Sequence, residues 1–151
     1  MWMSGYYNRN VIAKFNDAYA AYEEKFIDGE ELHVKFSGGN SKMGAVPSAS
    51  LLPFLTCPAR CRDTCGPACY AAKLANLRPS VLNSYANNTV LAVRDMDRYF
   101  EEIRDFCRAQ RFFRFHVSGD IINNQYFEGM LWTANENPHC EFWPSPNDLR
   151  S

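Results

Sequence analysis

Four cysteines fall within thirteen residues: Cys57, Cys61, Cys65 and Cys69, each four positions after the last. Thiolates at this density suit a metal centre, because zinc and iron–sulfur clusters both need several sulfur ligands converging within a few ångströms. Pro58, Gly66 and Pro67 keep the segment from becoming one helix, and Arg60 and Arg62 add positive charge that stabilises thiolates. Zinc sites usually join two close cysteines to a distant pair, whereas here all four share one loop. That favours an iron–sulfur cluster, with zinc as the alternative. Disulfides are the competing use of the six cysteines. Four spaced so tightly would close only small strained loops, and this chain is long enough for a real core, so reduced thiolates are preferred.

A second group lies further along. Arg114, His116 and Ser118 alternate with Phe113, Phe115 and Val117, and a strand of period two puts the polar trio on one face. That face points either into a functional interior or simply to solvent. Ser118-Gly119-Asp120 follows, where Gly119 permits close backbone approach to a ligand and Asp120 can accept hydrogen bonds from an amine or hydroxyl. A plain turn is the bland alternative. Asn40-Ser41-Lys42-Met43-Gly44 lacks the order of a phosphate-binding loop, which argues against nucleotide hydrolysis. His33, His139 and Cys140 read as ordinary strand residues. Tyr6, Tyr7, Tyr19 and Tyr22 have no accompanying basic stripe and so do not form a base-stacking platform.

These residues need elements to position them. Ile12, Phe15, Tyr19, Tyr22 and Phe26 predict a helix over 11–26, ended by Asp28-Gly29. Leu32, Val34 and Phe36 alternate with His33 and Lys35, which predicts a strand. A Gly- and Ser-rich connection, 37–50, leads to an apolar run, 51–56, that delivers the cysteines. Residues 70–76 favour helix, interrupted by Pro79. Leu82, Ala86, Thr89, Val93, Met96, Phe100, Ile103 and Cys107 then predict one long helix with a continuous core face, Cys107 being a small buried hydrophobe on it. A strand is predicted over 112–117, and Asn123 or Asn124 caps a helix carrying Phe127, Met130, Leu131 and Ala134. Asn137-Pro138 stops it, before a strand over 139–143.

Strand, helix, strand, helix, strand is the pattern of parallel βαβ units. The expected fold is therefore α/β, a partial (β/α) barrel with parallel strands and a cysteine-rich loop after an early strand. Residues 1–30 form an N-terminal helical segment and 31–151 the barrel domain. Three strands leave such a sheet incomplete, so the domain is expected to be truncated at its C-terminus and to self-associate through an uncovered strand edge.

Composition narrows the functional classes. The chain has 151 residues, 46% hydrophobic and 22% charged, with sixteen basic and seventeen acidic side chains. A net charge of -1 gives no global field to recruit nucleic acid or anionic lipid. No apolar run approaches the roughly 18–20 residues that span a bilayer. The first residues show no secretory signal, so a cytoplasmic location is expected.

Several of these blocks together resemble the phage gene-product-88 family: Gly39-Asn40-Ser41-Lys42-Met43-Gly44, Pro47-Ser48, Thr56-Cys57-Pro58, the Cys65-to-Cys69-Tyr70-Ala71 stretch, Ser118-Gly119-Asp120 and Asn137-Pro138-His139-Cys140-Glu141-Phe142. The resemblance covers roughly residues 38–143. It implies a phage or bacterial origin and a bacterial host cytoplasm. It extends distantly to radical S-adenosylmethionine enzymes, which implies a [4Fe-4S] cluster on the cysteine loop and S-adenosylmethionine held by Ser118, Gly119 and Asp120, beside His116 and Arg114 on the same strand. The expected function is thus a radical S-adenosylmethionine-like protein acting on an unknown substrate. The alternative is a non-enzymatic zinc- or cluster-binding module acting through a partner. An open iron site uses three thiolates and a closed structural site four.

Overall fold

Helix α1 (Ile12–Ile27) forms because Phe15, Tyr19, Tyr22 and Phe26 recur every three or four residues and share one face. Phe15 on that face is fully buried. The helix ends in paired carbonyl bonds: the Glu30 N–H donates to Lys25 at 3.0 Å and the Gly29 N–H to Phe26 at 3.1 Å. This closure requires a left-handed residue, which Gly29 supplies with φ of 88°. The computed structural model describes residues 12–36, 46–52, 78–115 and 123–143.

The expected long helix is two helices, α2 (Pro79–Arg94) and α3 (Met96–Cys107). Pro79 begins α2 at its first turn, where the missing N–H costs nothing. Asp95 makes the break: its backbone leaves helical geometry, and its side chain accepts the Arg98 N–H at 3.3 Å to cap α3. The break also interrupts the predicted stripe, leaving Val93 50% exposed while Tyr99, Phe100, Ile103 and Cys107 are buried. Residues Tyr85 to Ala92 of α2 are buried without interruption, since α1, α3 and two extended segments surround it.

Strand β1 (Phe112–Arg114) and strand β2 (Glu141–Trp143) pair in parallel, Phe113 opposite Phe142, with α4 (Asn124–Glu136) as the crossover. Asn123 caps α4 by accepting the Tyr126 N–H at 2.9 Å. Its buried face is Tyr126, Met130 and Thr133, not the Phe127, Leu131 and Ala134 stripe expected alongside Met130. Asn137 ends it, with its side-chain amide donating to the Thr133 and Arg104 carbonyls, both at 3.2 Å.

The expected partial (β/α) barrel is not formed. The described residues hold four helices and two short strands, a mostly helical arrangement. The reason lies in residues 32–36. Leu32 and Val34 are buried, as alternation predicts, but this segment joins no sheet. Its backbone is satisfied by helix side chains: Val34 N–H by Glu102 at 2.9 Å, Lys35 N–H by Asn88 at 2.7 Å, and the His33 and Lys35 carbonyls by Asn87 and Asn88. Backbone groups bonded this way need no neighbouring strand. Among the described residues no helix is long and apolar enough to cross a membrane.

Candidate functional site

Residues 46–52 are the described approach to the cysteine segment, and α2 holds them. The Thr89 hydroxyl donates to the Tyr85 carbonyl and accepts the Leu52 N–H, each at 2.8 Å. Asn88 donates to the Ser50 carbonyl at 3.1 Å and to the Lys35 carbonyl at 2.9 Å. Asn87, Asn88 and Thr89 are at most 2% exposed. Buried amides and hydroxyls are tolerable only when bonded, and these are.

On its other side this approach touches β1. Ser48 and Arg114 form an isolated parallel bridge, with the Arg114 N–H donating to Pro47 at 2.9 Å and the Ala49 N–H donating to Arg114 at 3.3 Å. Because the bridge is parallel, the two chains leave it in the same direction. Leu52 lies five residues before Cys57, and Phe115 three residues before Ser118. Phe113 and Phe115 are fully buried and Arg114 is half-buried, so the predicted alternation holds over the described part of this strand. Ser48 is fully buried, and its hydroxyl has no hydrogen-bond partner among the described residues. Cys57, Cys61, Cys65, Cys69, His116, Ser118, Gly119 and Asp120 lie outside the described residues.

The two remaining cysteines are elsewhere. Cys107 at the end of α3 and Cys140 just before β2 are buried free thiols in the same apolar cluster. Burial pushes both thiols up, and the neighbouring Cys140 pushes Cys107 further, so both stay protonated. His139 Nε2 lies 3.2 Å from the Cys107 carbonyl. His33 Nδ1 lies 3.2 Å from Glu102, whose carboxylate also accepts from Val34 and, at 3.0 Å, from Arg98 Nε. Both histidines thus make structural contacts. Among the described residues no group of three or more His, Cys, Asp or Glu is gathered for a metal.

An open cleft of about 660 Å³ lies between the α2–α3 corner and α4, lined by Arg94, Asp97, Glu101, Glu128 and Trp132 among others. Arg114, the candidate residue that is described, does not line it. Sequence reasoning passed over Asn88 and read Thr89 only as part of a core face. Their signal was present: three consecutive polar residues interrupt an apolar stretch between Ala86 and Val90.

No curated protein and no solved structure matches the chain. The family model described as Gene product 88 matches residues 13–144, nearly the whole chain. The matched region contains the cysteine segment, both strands and all but the first residue of α1. The chain belongs to the Gene product 88 family of phage proteins.

Proposed function

We propose that this chain is an iron–sulfur-binding protein of radical S-adenosylmethionine-like type. Three of the four thiolates of Cys57, Cys61, Cys65 and Cys69 hold a [4Fe-4S] cluster and leave one iron open. Ser118, Gly119 and Asp120, with His116 and Arg114, hold S-adenosylmethionine. The observation that carries this reading is the parallel Ser48–Arg114 bridge, which joins the described residues that precede the two motifs in the sequence. The donor set also fits, since four thiols in thirteen residues match what a cluster requires. Cys107 and Cys140, protonated in the apolar core, do not compete for the metal.

When bound, the cluster supplies single electrons to S-adenosylmethionine. The chain's own residues do the holding. Asp120, as a carboxylate, accepts hydrogen bonds from the amino group of the ligand, and Gly119 lets the backbone approach it. A second reading is a non-enzymatic module in which all four thiolates close on zinc or on a cluster and the chain acts through a partner. The count of four favours it, because closed structural sites use four thiolates.

Anaerobic reconstitution with metal analysis tests both. The first reading expects brown protein with broad visible absorbance, iron in the preparation, and binding of S-adenosylmethionine by calorimetry. Colourless protein with stoichiometric zinc would move the assignment to the structural module, and protein without metal would remove both. The proposal includes a bacterial host cytoplasm and self-association through a strand edge. β2 pairs only with β1 among the described residues, and light scattering reads whether copies associate.

A further inference from the structure

We infer that Cys107 and Cys140 are an oxidisable dithiol, which a hydroperoxide converts into an intrachain disulfide joining the end of α3 to the start of β2. This goes beyond the cluster reading and uses none of its residues. Three ties in one short stretch hold the two cysteines together. The Asn137 side chain donates to the Arg104 carbonyl at 3.2 Å, His139 Nε2 lies 3.2 Å from the Cys107 carbonyl, and the Glu141 N–H donates to the Arg111 carbonyl at 2.8 Å. Cys140 sits between the last two, and its thiol is in hydrogen-bond contact with that of Cys107. Its sulfur also lies 3.8 Å from the Glu141 carbonyl. Thiols already in contact on anchored backbones can join with little movement of the chain. A single buried cysteine is a small hydrophobe, whereas a touching pair has disulfide chemistry open to it.

The two thiols are not equivalent. Cys140 is 7% exposed and Cys107 0%, so a small oxidant meets Cys140 first. Burial raises both; the hydrogen bond from Cys107 favours the Cys140 thiolate, while the Cys140 charge raises Cys107 further. The Cys140 thiolate attacks one oxygen of hydrogen peroxide and the O–O bond breaks, leaving a sulfenic acid. The departing hydroxide takes up the proton that Cys140 released. The Cys107 sulfur then displaces the sulfenic hydroxyl, which leaves as water with the Cys107 proton as the S–S bond forms. Two thiols and one hydrogen peroxide thus give one disulfide and two waters.

The experiment treats the folded full chain with hydrogen peroxide, alkylates the remaining thiols and digests it with trypsin for mass spectrometry. Cleavage at arginine puts Cys107 in the peptide 105–108 and Cys140 in the peptide 115–150, each without a second cysteine. The expected product is these two peptides joined, two hydrogens lighter than the separate pair and parted again by dithiothreitol. Oxidation is expected to raise Tm by about 5–10 °C, because the new bond closes the loop 108–139. That rise should be absent from Cys107→Ala and from Cys140→Ala. Cys107→Ala should instead leave a sulfenic acid at Cys140 that dimedone captures, and Cys140→Ala should leave Cys107 an unmodified thiol. No joined peptide from the folded parent, or Cys107 and Cys140 joined instead to cysteines of 57–69, would overturn the inference whether or not either variant folds. Dimedone capture at Cys107 in Cys140→Ala as strong as at Cys140 in Cys107→Ala would overturn the order of attack.

Discussion

Gly129 of α4 meets the ring of Phe100 on α3 so closely that a Cβ at position 129 would fall inside van der Waals contact with three ring atoms. The missing side chain is what lets these two helices approach. Gly129→Ala in an unobstructed helix would stabilise by about 1 kcal/mol. Overpacking against a buried ring costs roughly 1–3 kcal/mol, so a net loss of up to about 2 kcal/mol is expected in urea unfolding. A raised urea midpoint would show that Phe100 swings aside freely.

The same helix pair buries two phenols, with Tyr99 and Tyr126 hydroxyls 3.0 Å apart. Burial raises both above the ordinary value of 10.0. Unfolded tyrosine ionises near that ordinary value, while the folded pair stays neutral. The stability they contribute is therefore complete below pH 10 and falls as pH rises toward the folded values, by roughly 1.4 kcal/mol per pH unit per phenol. Urea midpoints measured on both sides of pH 10 should show this fall. The Tyr99→Phe, Tyr126→Phe double variant should flatten it, and an unchanged slope would assign the alkaline loss to other groups.

Glu102 joins α3 to residues 33–34 by accepting from the Val34 N–H at 2.9 Å, beside its ion pair with Arg98. Glu102→Ala removes the partner of a half-buried amide, and a loss of about 1–2 kcal/mol is expected. Amide exchange at Val34 should accelerate more than exchange across α2. Uniform acceleration would mean that Glu102 contributes only to global stability.

Cysteine substitutions separate the core from the proposed cluster. Cys107 is fully buried, so Cys107→Ala should cost about 1 kcal/mol as a small cavity and leave iron content unchanged. Cys65→Ala or Cys69→Ala should abolish iron binding. Iron lost from Cys107→Ala and retained by Cys65→Ala would reverse the assignment.

Much of the local structure was legible before any coordinates. The aromatic period of α1, the stop at Asp28-Gly29, the Asn123 cap and the end of α4 at Asn137 are all set by residues within a turn or two of each other. The burial of Cys107 followed from its place on an apolar face. The four clustered cysteines suggest a donor set through spacing alone, and they lie outside the described residues.

Tertiary structure decided what alternation and periodicity cannot. Leu32, Val34 and Phe36 alternate like a strand, yet strand formation needs a neighbouring backbone, and here Glu102, Asn87 and Asn88 reach that backbone from more than fifty residues away. The stripe from Leu82 to Cys107 reads as one helix because a capping aspartate such as Asp95 scarcely disturbs the spacing of apolar residues around it. Thr89 lies on that stripe and Asn88 beside it, and only the arrival of residues 46–52 against α2 supplies the partners that their burial requires. Local sequence determines which backbone conformations are cheap; which distant group satisfies each buried N–H and carbonyl is settled only when the chain closes on itself.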